Sequence, residues 1–229
     1  MIDPDLLPTA EGDLTIQPVD HASLVLMLRG EAVYVDPVGG AGRYADLPPP
    51  TAILITHEHG DHFDVPTLEA LIGERSPPII AAAGVAAKLP EALRQLATVL
   101  AYGESGALNG APVTAIAAHN TSEDRLRYHP RGLGNGYVLT LGGSRIYIAG
   151  DTEPTPEMLA LEAIDVAFLP MNQPYTMLAE QAAEAVRTFR PAVVYPFHYA
   201  RGPEPETFAA LLHGFPGVEV RLRDWYALG

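Results

Sequence analysis

The stretch "ILITHEHGDHFD", residues 53–64, places three histidines and one aspartate within six consecutive positions, directly after a short apolar run. An apolar run of this length is typical of a buried strand. His57, His59 and Asp61 alternate along the chain, so in extended backbone their side chains point to one side. The stretch therefore predicts a cluster of polar groups where a buried strand ends.

These groups indicate a metal site. Gly60 permits the chain to turn, and such a turn would bring His62 to the same point as the other three side chains. Imidazole and carboxylate donors suit a borderline divalent metal such as zinc. The spacing is not that of two histidines one helical turn apart, because His57 and His62 are five positions apart and follow a strand. The alternative is a polar loop whose histidines cap the next helix.

The composition limits the kind of protein. The chain has 229 residues, of which 48% are hydrophobic and 18% charged, as in ordinary globular domains. It contains no cysteine, which excludes disulfides, thiolate nucleophiles and cysteine-ligated metals. The acidic N-terminus does not resemble a signal peptide, and no apolar run approaches the roughly 20 residues of a membrane span. We therefore expect a cytoplasmic protein without a membrane association.

The charge balance disfavours nucleic acid as a partner. Lys and Arg number 14 against 28 Asp and Glu, which gives a net charge of −14. Such a surface repels polyphosphate backbones at long range. The basic residues Arg125, Arg127 and Arg131 cluster in one segment, but the acidic Asp124 directly precedes them. A small-molecule substrate is the expected partner.

Short β-like runs alternate with helical patterns, which indicates an α/β chain. Helices are predicted over 65–72, 178–189 and 204–212, the first with Asp64 as N-cap and Pro66 in its first turn. The segment "LVLMLRGEAVYVDP" (24–37) also aligns with "YVLTLGGSRIYIAGD" (137–151). Each reads as a hairpin whose second strand ends near an aspartate. Two such units would build two facing sheets. We find no domain boundary within 1–229.

The motif "THEHGDHFD" resembles the H-x-H-x-D-H signature of metallo-β-lactamase-fold hydrolases. "GDT" (150–152), "LPMNQPYTM" (169–177), "EQAAEAV" (180–186) and "YPFHY" (195–199) are similar to later motifs of that fold's predicted zinc-dependent hydrolases, a branch similar to the L-ascorbate-6-phosphate lactonase-like proteins. The resemblance implies one four-layer αββα sandwich, in which helices flank two facing mixed sheets. It places the metals at one edge of the sheets and is compatible with a homo-oligomer.

The resemblance also implies a set of ligands. It assigns His57 and His59 to a first metal, and Asp61 and His62 to a second. Asp151 would bridge the two ions, and His198 would complete the second. Asp151 and His198 each follow an apolar strand, where site residues often collect.

The third histidine of the first metal has two candidates. His119, in "AAHNTS", lies at the end of a predicted strand in the region where many members of the family have this ligand. His129, in "RYHP", is the rival, either as a ligand or as an acid that faces the substrate. We favour His119.

Other residues are candidates for supporting roles. Asp36 resembles the family's carboxylate that orients a ligand imidazole, although an aspartate before Pro37 is also common in turns. His21, in "DHASL", is expected to make a structural hydrogen bond. Three residues flank the motif loops and could contact a substrate, namely Tyr175, Tyr199 and Arg201.

Together these assignments predict a metal-dependent hydrolase. Two divalent ions, Zn2+ first with Mn2+ or Fe as alternatives, would hold a water as hydroxide at neutral pH. Asp61 and Asp151 would orient this hydroxide for attack on an ester, lactone or phosphodiester. The alternatives are a phosphodiesterase or nuclease, a di-iron redox protein, and a binding module that metal only stabilises.

Overall fold

The computed structural model describes residues 2–200 and 202–226, which contain two seven-stranded sheets. The first sheet consists of β1 (Asp5–Thr9), β2 (Gly12–Asp20), β3 (Ser23–Leu28), β4 (Glu31–Val35), β5 (Ala52–Ile55), β6 (Ile79–Ala81) and β7 (Ala97–Val99). The second sheet consists of β8 (Ser105–Leu108), β9 (Ala111–Ala118), β10 (Gly134–Leu141), β11 (Ser144–Ile148), β12 (Val166–Pro170), β13 (Val193–Phe197) and β14 (Glu219–Val220).

Six α-helices and one short 3-10 helix connect these strands in the described residues. The α-helices are α1 (Val65–Ile72), α2 (Ala83–Ala86), α3 (Glu91–Arg94), α4 (Pro156–Leu159), α5 (Ala179–Phe189) and α6 (Glu204–Leu211), and the 3-10 helix is Ala41–Tyr44. The three helices expected from the sequence are therefore present, with ends that differ by at most one residue. Asp64 precedes α1 as expected, but its carboxylate accepts a hydrogen bond from the Thr67 hydroxyl and none from a backbone N–H.

The two sheets repeat one strand order. In each sheet the strands follow the chain in sequence, and the first four pair antiparallel while the last four pair parallel. The hairpins β3–β4 and β10–β11 occupy equivalent places. Their turns, Arg29-Gly30 and Gly142-Gly143, have positive φ angles at both positions, as two-residue hairpin turns favour. The duplication predicted from the sequence is thus confirmed by the topology.

The apolar residues of β5 show how the layers form. Successive side chains of a strand point to opposite faces of its sheet. Ala52 and Leu54 belong to the main hydrophobic core, which contains residues of both sheets. Ile53 and Ile55 belong to a second cluster that includes Leu68 of α1. The strand is apolar throughout because both faces of its sheet are covered.

The second sheet is covered in the same way by α5. Ala182, Ala183 and Val186 of this helix are buried in the main core. Phe189, at the end of α5, packs edge-on against Tyr147 of β11 with ring centroids 6.0 Å apart. The expected four-layer arrangement of two facing mixed sheets between helices is confirmed. In the described residues, no helix is both long and apolar enough to cross a membrane.

We expect Gly136→Ala to destabilise the fold. An added Cβ in β10 would lie 2.7 Å from the carbonyl oxygen of Ala149 and 3.0 Å from that of Ile148, and both obstacles are backbone atoms. Overpacking of this kind costs about 1–3 kcal/mol. The control is Gly42→Ala, because its Cβ would meet no atom of the described residues within 4 Å. Urea unfolding should show a lower midpoint for Gly136→Ala alone. Equal midpoints would contradict the packing.

Candidate metal centre

The polar groups of the site follow the carboxyl ends of strands. Asp36 and His57 come after β4 and β5, which are parallel neighbours, and Asp151 and His198 come after β11 and β13 of the other sheet. Carboxyl ends of parallel strands share one edge of a sheet, where site residues collect in open α/β proteins. Asp36, His198 and His21 have positive φ angles of 44°, 49° and 50°. Such strained backbone is typical of functional sites.

One group of imidazoles contains His57, His59 and His129. Their metal-binding nitrogens lie within 4.8 Å of one another. His57 and His59 come from the loop after β5, as expected, and His129 comes from the loop between β9 and β10. The Nδ1 atom of His129 lies 3.1 Å from the carbonyl oxygen of Tyr175, which fixes the ring and directs Nε2 to the site.

Asp151 lies between this group and the other side chains of the site. One carboxylate oxygen, Oδ2, is 3.2 Å from Nε2 of both His129 and His198, and 3.9 Å from Nε2 of His57. The other, Oδ1, is 3.3 Å from Nε2 of His62. The side chain of Asp151 is 4% exposed, so a single buried carboxylate contacts imidazoles from both halves of the chain.

A second group contains Asp61, His198 and His21. The Oδ2 atom of Asp61 lies 3.3 Å from Nε2 of His198 and 3.3 Å from Nε2 of His21. The His21 and His198 rings are 3.9 Å apart. His21 was expected to make a structural hydrogen bond, and its Nδ1 does lie 2.6 Å from the Tyr226 hydroxyl. Its other nitrogen, however, faces the site, so His21 also belongs to the site.

Asp36 orients one of these imidazoles. Its Oδ2 atom lies 2.7 Å from Nδ1 of His62 and accepts a hydrogen bond of 2.6 Å from the Thr56 hydroxyl. Its Oδ1 accepts a hydrogen bond of 2.7 Å from the Thr56 backbone N–H. A carboxylate in this position fixes the imidazole and raises its basicity as a ligand. The contact expected for Asp36 from the family resemblance is present.

The fit to cations is supported by polar atoms left without partners. Four buried atoms around Asp151 make no hydrogen bond of acceptable geometry within the described part of the chain: Nε2 of His57, His62 and His129, and Oδ1 of Asp151. An unsatisfied buried polar atom costs about 1–3 kcal/mol. Metal ions coordinated by these atoms would remove that cost.

The protonation states of His57, His198 and Asp151 also fit a metal site. His62 is the exception: burial lowers its pKa, but the carboxylates of Asp151 and Asp36 outweigh burial and raise it well above its ordinary value, so a metal ion would have to displace its proton. Burial, together with the neighbouring His62, holds the pKa of His57 well below its ordinary value, and burial likewise lowers the pKa of His198. Burial raises the pKa of Asp151, but the imidazoles of His198 and His62 outweigh this effect and hold it well below its ordinary value. Neutral imidazole and ionised carboxylate are the forms that bind metal.

The structure separates the two candidates for the third histidine. His129, and not the favoured His119, lies with His57 and His59. The backbone of His119 is held by Thr152, and its Nδ1 lies 3.0 Å from the Asn120 carbonyl oxygen. In a strand, successive side chains point to opposite faces, so a position at a strand end does not decide which way the ring turns. The positions of the rings therefore favour His129 and do not support the preference for His119.

The turn after His59 differs from expectation in one detail. Backbone N–H groups of His62 and Phe63 donate to the His59 carbonyl oxygen at 3.0 and 2.8 Å, which closes the turn and brings His62 inward as predicted. Gly60, however, has no left-handed φ, and an added Cβ would meet no described atom within 4 Å. The turn does not depend on the conformational freedom of glycine.

The remaining predicted residues lie in different places. Tyr175, 44% exposed, lines the cleft over the site together with Tyr128 and Asn172. Tyr199 does not line that cleft, and its hydroxyl donates a hydrogen bond of 2.7 Å to the carbonyl oxygen of Arg223. Arg201 lies outside the described residues.

Glu153 was not predicted, although it follows Asp151 by two positions in "GDTEP". Its buried carboxylate accepts hydrogen bonds from the backbone N–H groups of Thr121 and Ser122, at 2.8 and 2.7 Å, and from Arg125 at 3.1 Å. These contacts anchor the loop that carries His129. Burial raises the pKa of Glu153, but the hydrogen bonds from Ser122 outweigh it and lower the pKa. The stabilisation is thus present above the ordinary glutamate pKa and is lost as pH falls through the lowered value.

Comparison with known proteins agrees with the fold. Residues 25–199, more than half of the chain, match the family described as a beta-lactamase superfamily domain. The family match and the four-layer fold together place the protein in this superfamily. A solved structure of a metallo hydrolase from Ignicoccus hospitalis shares the fold, with a TM-score of 0.74 and 23% identity over 91% of this chain and 94% of that one.

Nearer relatives specify the family. A UPF0173 metal-dependent hydrolase of Deinococcus radiodurans is 34% identical over 183 residues, 76% of this chain and 78% of that protein. A solved structure from Parabacteroides distasonis, described as a metal-dependent hydrolase, has a TM-score of 0.87 and 40% identity over 97% of this chain and 99% of that one. The protein thus belongs to the UPF0173 metal-dependent hydrolases of the beta-lactamase superfamily.

We expect Glu153→Gln to destabilise the protein by about 2–4 kcal/mol, because it leaves Arg125 without its charged partner in a largely buried place. The control is Glu157→Gln, whose carboxylate is 41% exposed and lies 3.6 Å from Arg131. An exposed pair of this kind contributes about 0–1 kcal/mol. Urea unfolding of the metal-free protein measures both. A similar loss in both variants would show that Glu153 is not the anchor of the loop.

Proposed function

We propose that this protein binds two divalent metal ions and hydrolyses an ester, lactone or phosphodiester bond of a small molecule. The first ion would be held by His57, His59 and His129, the second by Asp61, His62 and His198, and Asp151 would be shared by both. His21, beside Asp61 and His198, would support the second group.

The position of Asp151 carries this proposal. Its carboxylate lies 3.2 Å from His129 of the first group, and 3.2 and 3.3 Å from His198 and His62 of the second. In the described structure, one carboxylate therefore reaches both sets of donors. Two neighbouring sets of donors joined by one carboxylate support a dinuclear site, which can stabilise both the attacking and the leaving oxygen of a hydrolysis.

The donor set supports zinc as the metal. The proposed ligands are imidazole nitrogens and carboxylate oxygens, and the chain has no cysteine. Imidazole suits zinc, iron and other first-row metals, whereas sites made of oxygen alone suit magnesium and calcium. Mn2+ and Fe are the alternatives to Zn2+.

The residues of the site have distinct roles in this proposal. Bound divalent ions would supply Lewis acidity and lower the pKa of a water to near neutrality. Asp36 fixes the His62 ring through its Nδ1 atom. Asp61 has a side chain that is 49% exposed, and His21 and His198 hold its carboxylate in place. Asp61 and Asp151 would orient the attacking water.

The shape and charge of the protein favour a small substrate. The cleft over the site has a volume of about 330 Å³, at the lower end of the range of small-molecule sites. The net charge of −14 disfavours a polynucleotide. A small ester, lactone or phosphodiester would fit both properties.

Removal of metal should abolish activity. We expect chelator-treated protein to be inactive, and reloading with Zn2+ or Mn2+ to restore hydrolysis of p-nitrophenyl acetate or bis(p-nitrophenyl) phosphate. Asp151→Ala should lose at least about 100-fold in kcat/KM, because even residues that only support a ligand contribute about 10–100-fold. Full activity of Asp151→Ala after metal loading would exclude the mechanism.

Metal stoichiometry separates His129 from His119. We expect His129→Ala to lower the bound metal below about two ions per chain, because it removes one of the three imidazoles proposed for the first ion. His119→Ala should keep the wild-type content, since its ring is not among the clustered donors. Elemental analysis after dialysis against zinc measures both. Loss of metal in His119→Ala, with His129→Ala unchanged, would reverse the assignment.

A further inference from the structure

The cleft over the metal-binding residues contains one set of side chains that the proposed ligands do not explain. Arg127, Tyr128, Asn172 and Tyr175 line it beside the histidines and carboxylates of the site. Arg127 lies two positions before His129 in the same loop. A permanent cation is therefore built into the wall of the cleft.

Arg127 differs from the other two arginines of its loop. Arg125 pairs with the buried carboxylate of Glu153 at 3.1 Å, and Arg131 lies 3.6 Å from Glu157. Among the described residues, no carboxylate lies within ion-pair distance of Arg127. The charge of Arg127 is thus not neutralised by a neighbouring side chain of its loop.

The guanidinium of Arg127 is nevertheless held in place. Its central carbon lies 4.7 Å from the centre of the Tyr128 ring, and Nη2 donates a hydrogen bond of 2.8 Å to the Tyr128 hydroxyl. Tyr128 packs edge-on against Tyr175, with ring centroids 4.9 Å apart. One of the five N–H donors of the guanidinium is thus used, and the others are left for a ligand.

The wall that carries Arg127 is fixed to the metal-binding residues. The carbonyl oxygen of Tyr175 accepts a hydrogen bond of 2.8 Å from Asn120 and lies 3.1 Å from Nδ1 of His129. The segments on either side of the cleft are therefore joined through His129. The loop segment that carries Arg127 is thereby tied to the first metal group.

The electrostatics favour an anion in this place. The other charged groups that line the cleft are the carboxylates of Asp61 and Asp151, which face imidazoles of the site. Two divalent ions would more than offset these two carboxylates, so the loaded cleft would be positive next to Arg127. A planar guanidinium binds carboxylate or phosphate through paired hydrogen bonds.

We propose that the substrate carries an anionic group, carboxylate or phosphate, on the part that is not hydrolysed, and that Arg127 binds this group. This inference rests on the proposed hydrolase function, because the reacting bond must lie at the metal residues while the anion lies at Arg127. Tyr128 and Tyr175 would cover the connecting part of the substrate.

Two esters with the same leaving group test the proposal. The zinc-loaded protein is assayed with p-nitrophenyl acetate, which is neutral, and with the mono-p-nitrophenyl ester of succinate, which adds one carboxylate. We expect wild type to prefer the succinate ester, and Arg127→Gln to lower the ratio of the two kcat/KM values by about 10-fold or more. Arg127→Lys should restore only part of the preference, since lysine keeps the charge but not the paired donors.

The matched control is Arg131→Gln, which removes the same charge from the same loop outside the cleft. It should keep the wild-type ratio. An equal change in both variants, or none in Arg127→Gln, would overturn the role of Arg127, which would then be a solvated surface residue.

A binding measurement separates this proposal from the proposed function. Succinate and inorganic phosphate are titrated calorimetrically into zinc-loaded wild type, Arg127→Gln and Arg131→Gln. Weaker binding to Arg127→Gln alone would support the anion site even if neither ester were hydrolysed, and the stronger of the two anions would identify the preferred group. Equal affinities in all three proteins, or no binding in any, would refute the anion site at Arg127.

Discussion

The contacts of the Asp151 carboxylate are the constraint on which the rest of the site depends. This buried group lies within 3.3 Å of imidazoles from His62, His129 and His198. Burial of a carboxylate is costly unless cations or hydrogen-bond donors surround it. Each of the three histidines has its own support. Asp36 contacts the ring of His62, the Tyr175 carbonyl contacts the ring of His129, and the backbone N–H of His198 donates to the His21 carbonyl oxygen at 3.1 Å.

Much of the fold could be predicted because its signals are local. The apolar run of β5, the two-residue hairpin turns and the proline in the first turn of α1 depend on neighbours in sequence. The repeat of segment 24–37 at 137–151 also predicted two similar sheets, since equal local patterns favour equal strand pairing. The role of Gly60 was misjudged, because a turn can be closed by ordinary φ angles as well as by glycine.

The site was predictable only where its residues are close in sequence or follow a strand. His57, His59, Asp61 and His62 form one motif, whereas His129 lies in a loop whose path depends on distant contacts, Glu153 with Ser122 and Asn120 with Tyr175. Such contacts have no periodicity in the chain. The same reason explains why Glu153 was missed and why His21 was assigned only a structural hydrogen bond.

The repeated strand order has a consequence for how the two halves stay together. The motif at 57–62 belongs to the first half, and His129, Asp151 and His198 belong to the second; Asp61 and His198 are 137 positions apart. A cation bound by residues of both halves would cross-link the two sheets. Closing so long a loop removes much entropy from the unfolded chain, in the manner of a disulfide. The chain has no cysteine and therefore no disulfide, so a bound metal ion would take the role of a cross-link between the two halves.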